Sequence, residues 1–268
     1  MQTYRIASLV DKPRRSSVIL PGIEPSIGAE TSVLRAERQM LREMAAWTRE
    51  NVLPAYDRTP PLVGDAVVQD IDEWVWSEFD RVASRLVAVE AETVRRVLRL
   101  EAIRHTDKFM AAAKRALGID LSAVVREDDL GAYLDQAGAR SASLISGLAD
   151  DVRKKIKDRT ITAVLQGETS ANLRKTLAKE FGLADNRAKV IARDQISKVT
   201  SDLNKIRHQQ AGITEYVWST AHDERVRALH RSLDGKTYAY GEQTGAEQGL
   251  PPGQPIMCRC IARAIVEF

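Results

Sequence analysis

Along most of this chain, apolar residues recur at spacings of three, four and seven, the period of a helix that buries one face. Val33, Met40, Met44 and Trp47 make one such stripe. It predicts a helix that starts near Thr31 or Ser32, both good N-caps, and stops before Pro54. "RTPPLVGD" then breaks the pattern. Ile71, Val75, Phe79, Val82, Leu86 and Val89 resume it, and it persists more weakly to Gly118, a residue suited to a C-cap. The stretch from Gly118 to Gly167 predicts two or three shorter helices joined at Gly131, Gly147 and Gly167. Ser170 then caps "ANLRKTLAKEFG", and Asp185 or Asn186 opens a long helix to Gly212.

Beyond Gly212 the period changes. "EYVWST" and "KTYAYGE" are short and rich in Val, Thr, Tyr and Trp, which favours strands. Between them "DERVRALHRSLDG" predicts a short helix started by Asp223 and ended at Gly235, with Arg225 and Arg227 facing outward. The final run "CRCIARAIVEF" alternates: Cys258, Cys260, Ala262, Ala264, Val266 and Phe268 share one face. The fold class is therefore mainly α, an elongated helical body with a small C-terminal α+β module. Residues 1–30, with Pro13, Pro21 and Pro25 and no sustained period, read as an extended arm; 31–184 form the helical body and 185–268 the module.

Composition narrows the class. No window approaches the roughly 18 apolar residues of a membrane span, and the first residues lack the apolar core of a signal peptide. Two cysteines one residue apart make no disulfide framework, so a reducing compartment, the bacterial cytoplasm, is expected. From Asp151 to Arg207, 14 Lys and Arg face 7 Asp and Glu, a net +7 in a chain whose total is +3. Such an excess suits phosphates or an acidic protein surface, or is simply a solvated helix face. There is no phosphate-binding Gly-rich loop and no internal repeat.

The candidate chemistry sits in the last fifth. Cys258 and Cys260 on an apolar face read first as buried thiols. A zinc site is the second reading, with His230, Cys258 and Cys260 as ligands and His222 or Asp223 as a fourth. A thiol nucleophile with His230 as its base is the third, and acid–base chemistry on a phosphodiester through His222, Asp223, Arg225 and His230 a fourth. His105 and His208, without clustered partners, are expected on helix surfaces.

Taken together, the C-terminal elements resemble the phage head-morphogenesis family of Mu F-like minor head proteins. The resemblance rests on Arg193 with Asp194, Gly212, Trp218, Asp223 with Arg225, His230, Asp234 with Gly235, Pro251 with Pro252, and Cys258-Arg259-Cys260. It covers residues 185–268, and "FMAAAKRALGID" extends it loosely upstream. Many relatives carry a His shortly before the Cys-Arg-Cys, where this chain has Gln254-Pro255-Ile256-Met257, which removes a possible metal ligand.

The resemblance implies a non-enzymatic minor capsid protein, made in the host cytoplasm and carried in the virion head near the portal vertex. Its roles would be head assembly, DNA packaging and DNA ejection. The implied partners are the portal protein, the major capsid or scaffold proteins, and packaged double-stranded DNA held by non-specific electrostatics, with no membrane. No cofactor is implied, zinc at His230, Cys258 and Cys260 being the weak alternative. Two other functions compete: a nucleic-acid-processing or toxin-like module using His230, and a sequence-independent DNA-binding adaptor. Within the motif the expected roles are structural, with Arg259 pairing to Asp223 or Asp234.

Overall fold

A computed structural model describes residues 3–11, 15–58, 71–126 and 130–268. The protein is mainly α, with a small antiparallel sheet. Its six described helices are α1 (Ile27–Trp47), α2 (Leu53–Arg58), α3 (Glu73–Leu117), α4 (Gly131–Gln166), α5 (Ser170–Gln210) and the single turn α6 (Ala228–Arg231). The strands are β1 (Ser17–Ile19), β2 (Glu215–Ser219), β3 (Thr237–Ala239) and β4 (Ile261–Glu267), in the order β1-β4-β2-β3. Among the described residues no helix is long and apolar enough to cross a membrane. The chain divides into two compact units, one of residues 31–95 and 138–192, the other of 1–30, 96–137 and 193–268.

The first unit is a packing of helix faces. Val33, Met40 and Met44 of α1 are fully buried, and the Trp47 ring stacks on Phe79 of α3 with centroids 5.0 Å apart. α1 begins earlier than Thr31 or Ser32, because Ser26 caps it: the Ser26 hydroxyl accepts from the Ala29 N–H at 3.2 Å. Nor does helical structure stop before Pro54. A π-helical turn over Thr48–Val52 leads into α2, where Pro54 sits in the first turn. There a proline's missing N–H is tolerated. The Thr48 hydroxyl and the Asn51 amide cap the Met44 and Trp47 carbonyls. The predicted break from Thr59 to Asp65 lies outside the described residues.

Two glycine signals proved weaker than packing. Gly147 lies inside α4, where an interior glycine costs about 1 kcal/mol against alanine. Buried Ile145, Leu148, Val152 and Ile156 on the same helix outweigh that cost. Likewise α5 is continuous through Gly182, and Thr169, rather than Ser170, accepts from the Asn172 N–H. Asp185 opens no helix: it accepts two hydrogen bonds from Arg38, at 2.6 and 3.1 Å. Gly118 and Gly167 do end their helices, both at positive φ.

The second unit holds the sheet. Residues 17–19 pair with the far end of β4, Val18 opposite Val266, and the Tyr4 and Ile6 amides bond the Gln210 and Ala211 carbonyls. The predicted alternation holds from Cys258 to Val266, every second residue being buried, although Phe268 is exposed. β4 pairs on its other side with β2, placing Trp218 opposite Ala262. Two histidines expected at the surface are buried instead. The His105 Nε2 lies 2.9 Å from the Asn204 Oδ1, and the His208 Nδ1 lies 2.6 Å from the Tyr240 hydroxyl. Burial depresses both imidazoles, His105 to about 4 and His208 to about 3, so each sits neutral in the core.

Candidate functional site

The site begins with how the Cys-Arg-Cys is held. Four contacts pin the loop before it to α5. The Ser201 hydroxyl donates to the Pro252 carbonyl at 2.7 Å, and the Gln254 amide donates to the Asp202 Oδ1 at 2.7 Å and to the Lys198 carbonyl at 3.3 Å. The Asp194 Oδ1 accepts from the Met257 N–H at 3.1 Å. Gly253 is required there: its φ is +87°, and a Cβ would stand 2.9 Å from the Ser201 Cβ. Met257 itself takes a φ of +58°, which swings the chain into the Cys-Arg-Cys.

Arg259 then turns away from its neighbours and donates two hydrogen bonds to Asp223, each 2.5 Å. Of the two acids expected for it, Asp223 is the partner. That contact holds the Asp223 carboxylate below its ordinary range. Asp223 does not start the expected short helix; it accepts from the Arg225 N–H at 3.1 Å in a turn, and helix forms only over α6, with Arg227 at its N-cap. Asp234 caps the end of β2, accepting from the Thr220 N–H at 2.7 Å, and Gly235 closes the following turn at a φ of +76°. His222 is exposed, 3.6 Å from Asp234, and stands apart from the thiols' cluster.

Cys258 and Cys260, both free and buried, meet His230 of α6. Its Nδ1 lies 3.5 Å from the Cys258 Sγ and 3.6 Å from the Cys260 Sγ. The other ring nitrogen, Nε2, lies 2.6 Å from the Glu247 Oε2, and that bond holds the Glu247 carboxylate below its usual range. A carboxylate only accepts, so Nε2 carries the proton, and in the neutral ring Nδ1 then turns a lone pair toward the sulfurs. Trp218 packs edge-on against the imidazole, centroids 5.4 Å apart, and closes one side. The other side opens on a cavity of about 210 Å³ lined by Arg193, Arg225, Arg227 and Met257.

The two thiols divide their acidity. Cys258 is pulled down, first by the hydrogen bond from Cys260 and then by backbone N–H groups of Gly253 and Cys260. Cys260, which gives that hydrogen bond and is buried, is pushed up. Such a group can hold a soft metal ion or bear one thiolate beside a histidine.

His230, Cys258 and Cys260 thus converge, while Asp223 with Arg259 and Asp234 with Gly235 shape the turns around them. Arg225 is largely exposed and Pro252 serves the loop. Glu247 was not singled out from the sequence. It lies 17 residues from His230 in a loop without period, and no spacing signal marks it.

Residues 154–263 match the family described as Phage Mu protein F like protein. A protein of Haemophilus influenzae, described as uncharacterized, is 34% identical over 158 residues. That match takes in 58% of this chain, and the chain spans only 34% of the relative's length. No solved structure matches. The family match begins in α4, upstream of the start read from the motif, and takes in every element that holds the thiols and His230. Over residues 154–263, the chain is similar to the Phage Mu F-like family.

Proposed function

We propose that the chain is a minor structural protein of a phage head. It is built into the particle at the portal vertex in few copies and acts in head assembly, DNA packaging and DNA ejection. The observation that carries the reading is the family match over residues 154–263. The portal protein is the primary partner, and major capsid or scaffold proteins are secondary ones. The protein is made in the host cytoplasm and ends in the virion.

The motif residues support a structural role over an enzymatic one. Asp194 and Asp234 accept from the Met257 and Thr220 N–H groups, and Asp223 pairs with Arg259, so these residues fix turns. The basic stretch from Asp151 to Arg207 is partly neutralised: Arg153, Arg159, Arg187, Lys189 and Lys198 all pair with acids, and Arg207 is buried. What remains favours weak, salt-sensitive contact with packaged DNA over a dedicated groove.

Quantitative mass spectrometry of purified proheads and mature particles, relative to portal protein, tests the reading. A few copies per portal ring in both is the expected result. Presence in proheads alone would reassign the chain to assembly only. Absence from both, in cells rich in the protein, would overturn it and return attention to the nucleic-acid-processing alternative.

A further inference from the structure

The His230–Cys258–Cys260 cluster does more than fill a core. We propose that it is a binding site for one thiophilic divalent cation, zinc, held by the His230 Nδ1 and the two cysteine sulfurs. The first ground is distance. Zinc–sulfur bonds of about 2.3 Å and zinc–nitrogen bonds of about 2.05 Å, at a tetrahedral angle, place nitrogen and sulfur about 3.6 Å apart. The two N···S separations are 3.5 and 3.6 Å, and all three ligand atoms lie within 4.8 Å of one another. A nucleophile and its base need one such approach. Here both sulfurs stand at the same distance from the same lone pair, which are three vertices of a coordination shell.

The second ground is the shell around the ligands. Glu247 receives the Nε2 proton at 2.6 Å, fixing the tautomer that leaves Nδ1 free to ligate. A carboxylate behind the distal nitrogen is the usual support for a metal-bound imidazole. The Cys260 N–H donates to the Cys258 Sγ at 3.4 Å, and such bonds stabilise a thiolate.

The third ground is the cavity. All three ligands line it, so the fourth position opens where water or an anion drawn by Arg193 and Arg225 completes the shell. Two thiolates and an imidazole select zinc over calcium or magnesium, which take oxygen ligands. Neither His222 nor Asp223 supplies the fourth ligand: the first is exposed and the second is committed to Arg259. The ion would tie α6 to the entry of β4, two segments about thirty residues apart in sequence. Each thiol would give up its proton on binding, so affinity rises with pH.

The test is a cobalt titration of the full chain after chelator treatment, followed by optical absorption. Expected is a thiolate-to-Co²⁺ charge-transfer band that saturates at one ion per chain and is abolished by zinc. Cys258→Ser and Cys260→Ser should lose the band. Glu247→Ala, at a half-exposed position that leaves all three ligands in place, should keep it with affinity about 10–100-fold weaker. No charge-transfer band in wild-type protein of native circular dichroism would overturn the proposal. So would Cys258→Ser, Cys260→Ser and Glu247→Ala variants that all bind cobalt as tightly as wild type. The result is independent of the head assignment, which rests on particle composition.

Discussion

The unit of residues 31–95 and 138–192 and the C-terminal sheet with its loops solve different problems with different chemistry. The helical unit is held by apolar stripes whose members are interchangeable in kind: Val33, Met40, Met44, Phe79, Ile145 and Val152. Its ion pairs, such as Arg38–Asp185 and Arg187–Asp151, lie at the surface. The sheet module is small, and a small core stabilises little by area alone. It relies on specific polar contacts: Asp223 to Arg259, Asp234 to Thr220, Asp194 to Met257, Glu247 to His230. Volume governs the first region and specific pairing the second.

The largest effect expected from this contrast is at Trp218. It is fully buried and packs edge-on against both His230 and Tyr238. Trp218→Ala should cost about 3–5 kcal/mol. Hydrogen exchange followed by mass spectrometry should show protection lost in β2 and β4 but retained in residues 33–56. Equal loss in both regions would break the contrast.

A gain of stability is expected at Glu37, the one charge within the α1 stripe. It is fully buried and its carboxylate has no hydrogen-bond partner among the described residues, so burial raises its pKa from 4.5 to about 8. Between those values the folded chain holds a proton that the unfolded chain releases, so stability falls as pH rises. Glu37→Leu should remove that slope and stabilise the protein at pH 8 by on the order of a few kcal/mol. Urea denaturation at pH 5 and pH 8 is the check; an unchanged slope would show that Glu37 finds a partner.

The smallest effect concerns Arg38 with Asp185, about a third exposed on each side. The hydrogen bond from Arg38 lowers Asp185 to about 2, so the contribution is present above pH 4 and fades as pH falls toward 2. Solvent screening keeps it small. Arg38→Met should therefore shift the urea midpoint slightly at pH 7 and by less still at pH 2. A large shift at pH 7 would place real specificity in the helical unit as well.

The stripe of α1 shows how far sequence reading reaches. The seven-residue step from Val33 to Met40 skips the position of Glu37, so the gap in the pattern was visible while its burial was not. Alternation from Cys258 onward was legible because a strand's period is strictly two. The histidines were not. His105 and His208 carry no local mark of burial, since their partners lie 99 and 32 residues away. Pro54 and Gly147 misled for a related reason: local propensity is weaker than the packing that surrounds it. Within the candidate site, residue types and the Arg259–Asp223 pair could be anticipated, but Glu247 became visible only once the loop was folded over His230.

The pairing of Val18 with Val266 has a consequence for synthesis. A ribosome makes β1 some 240 residues before its partner, at about 5–20 residues per second. For that whole interval β1 has no strand to join. The sheet, and with it the thiol cluster at the head of β4, is therefore assembled only after residues 261–267 have been made, while α1 has its neighbours much sooner. A nascent chain stalled before residue 261 would carry helices but no closed sheet.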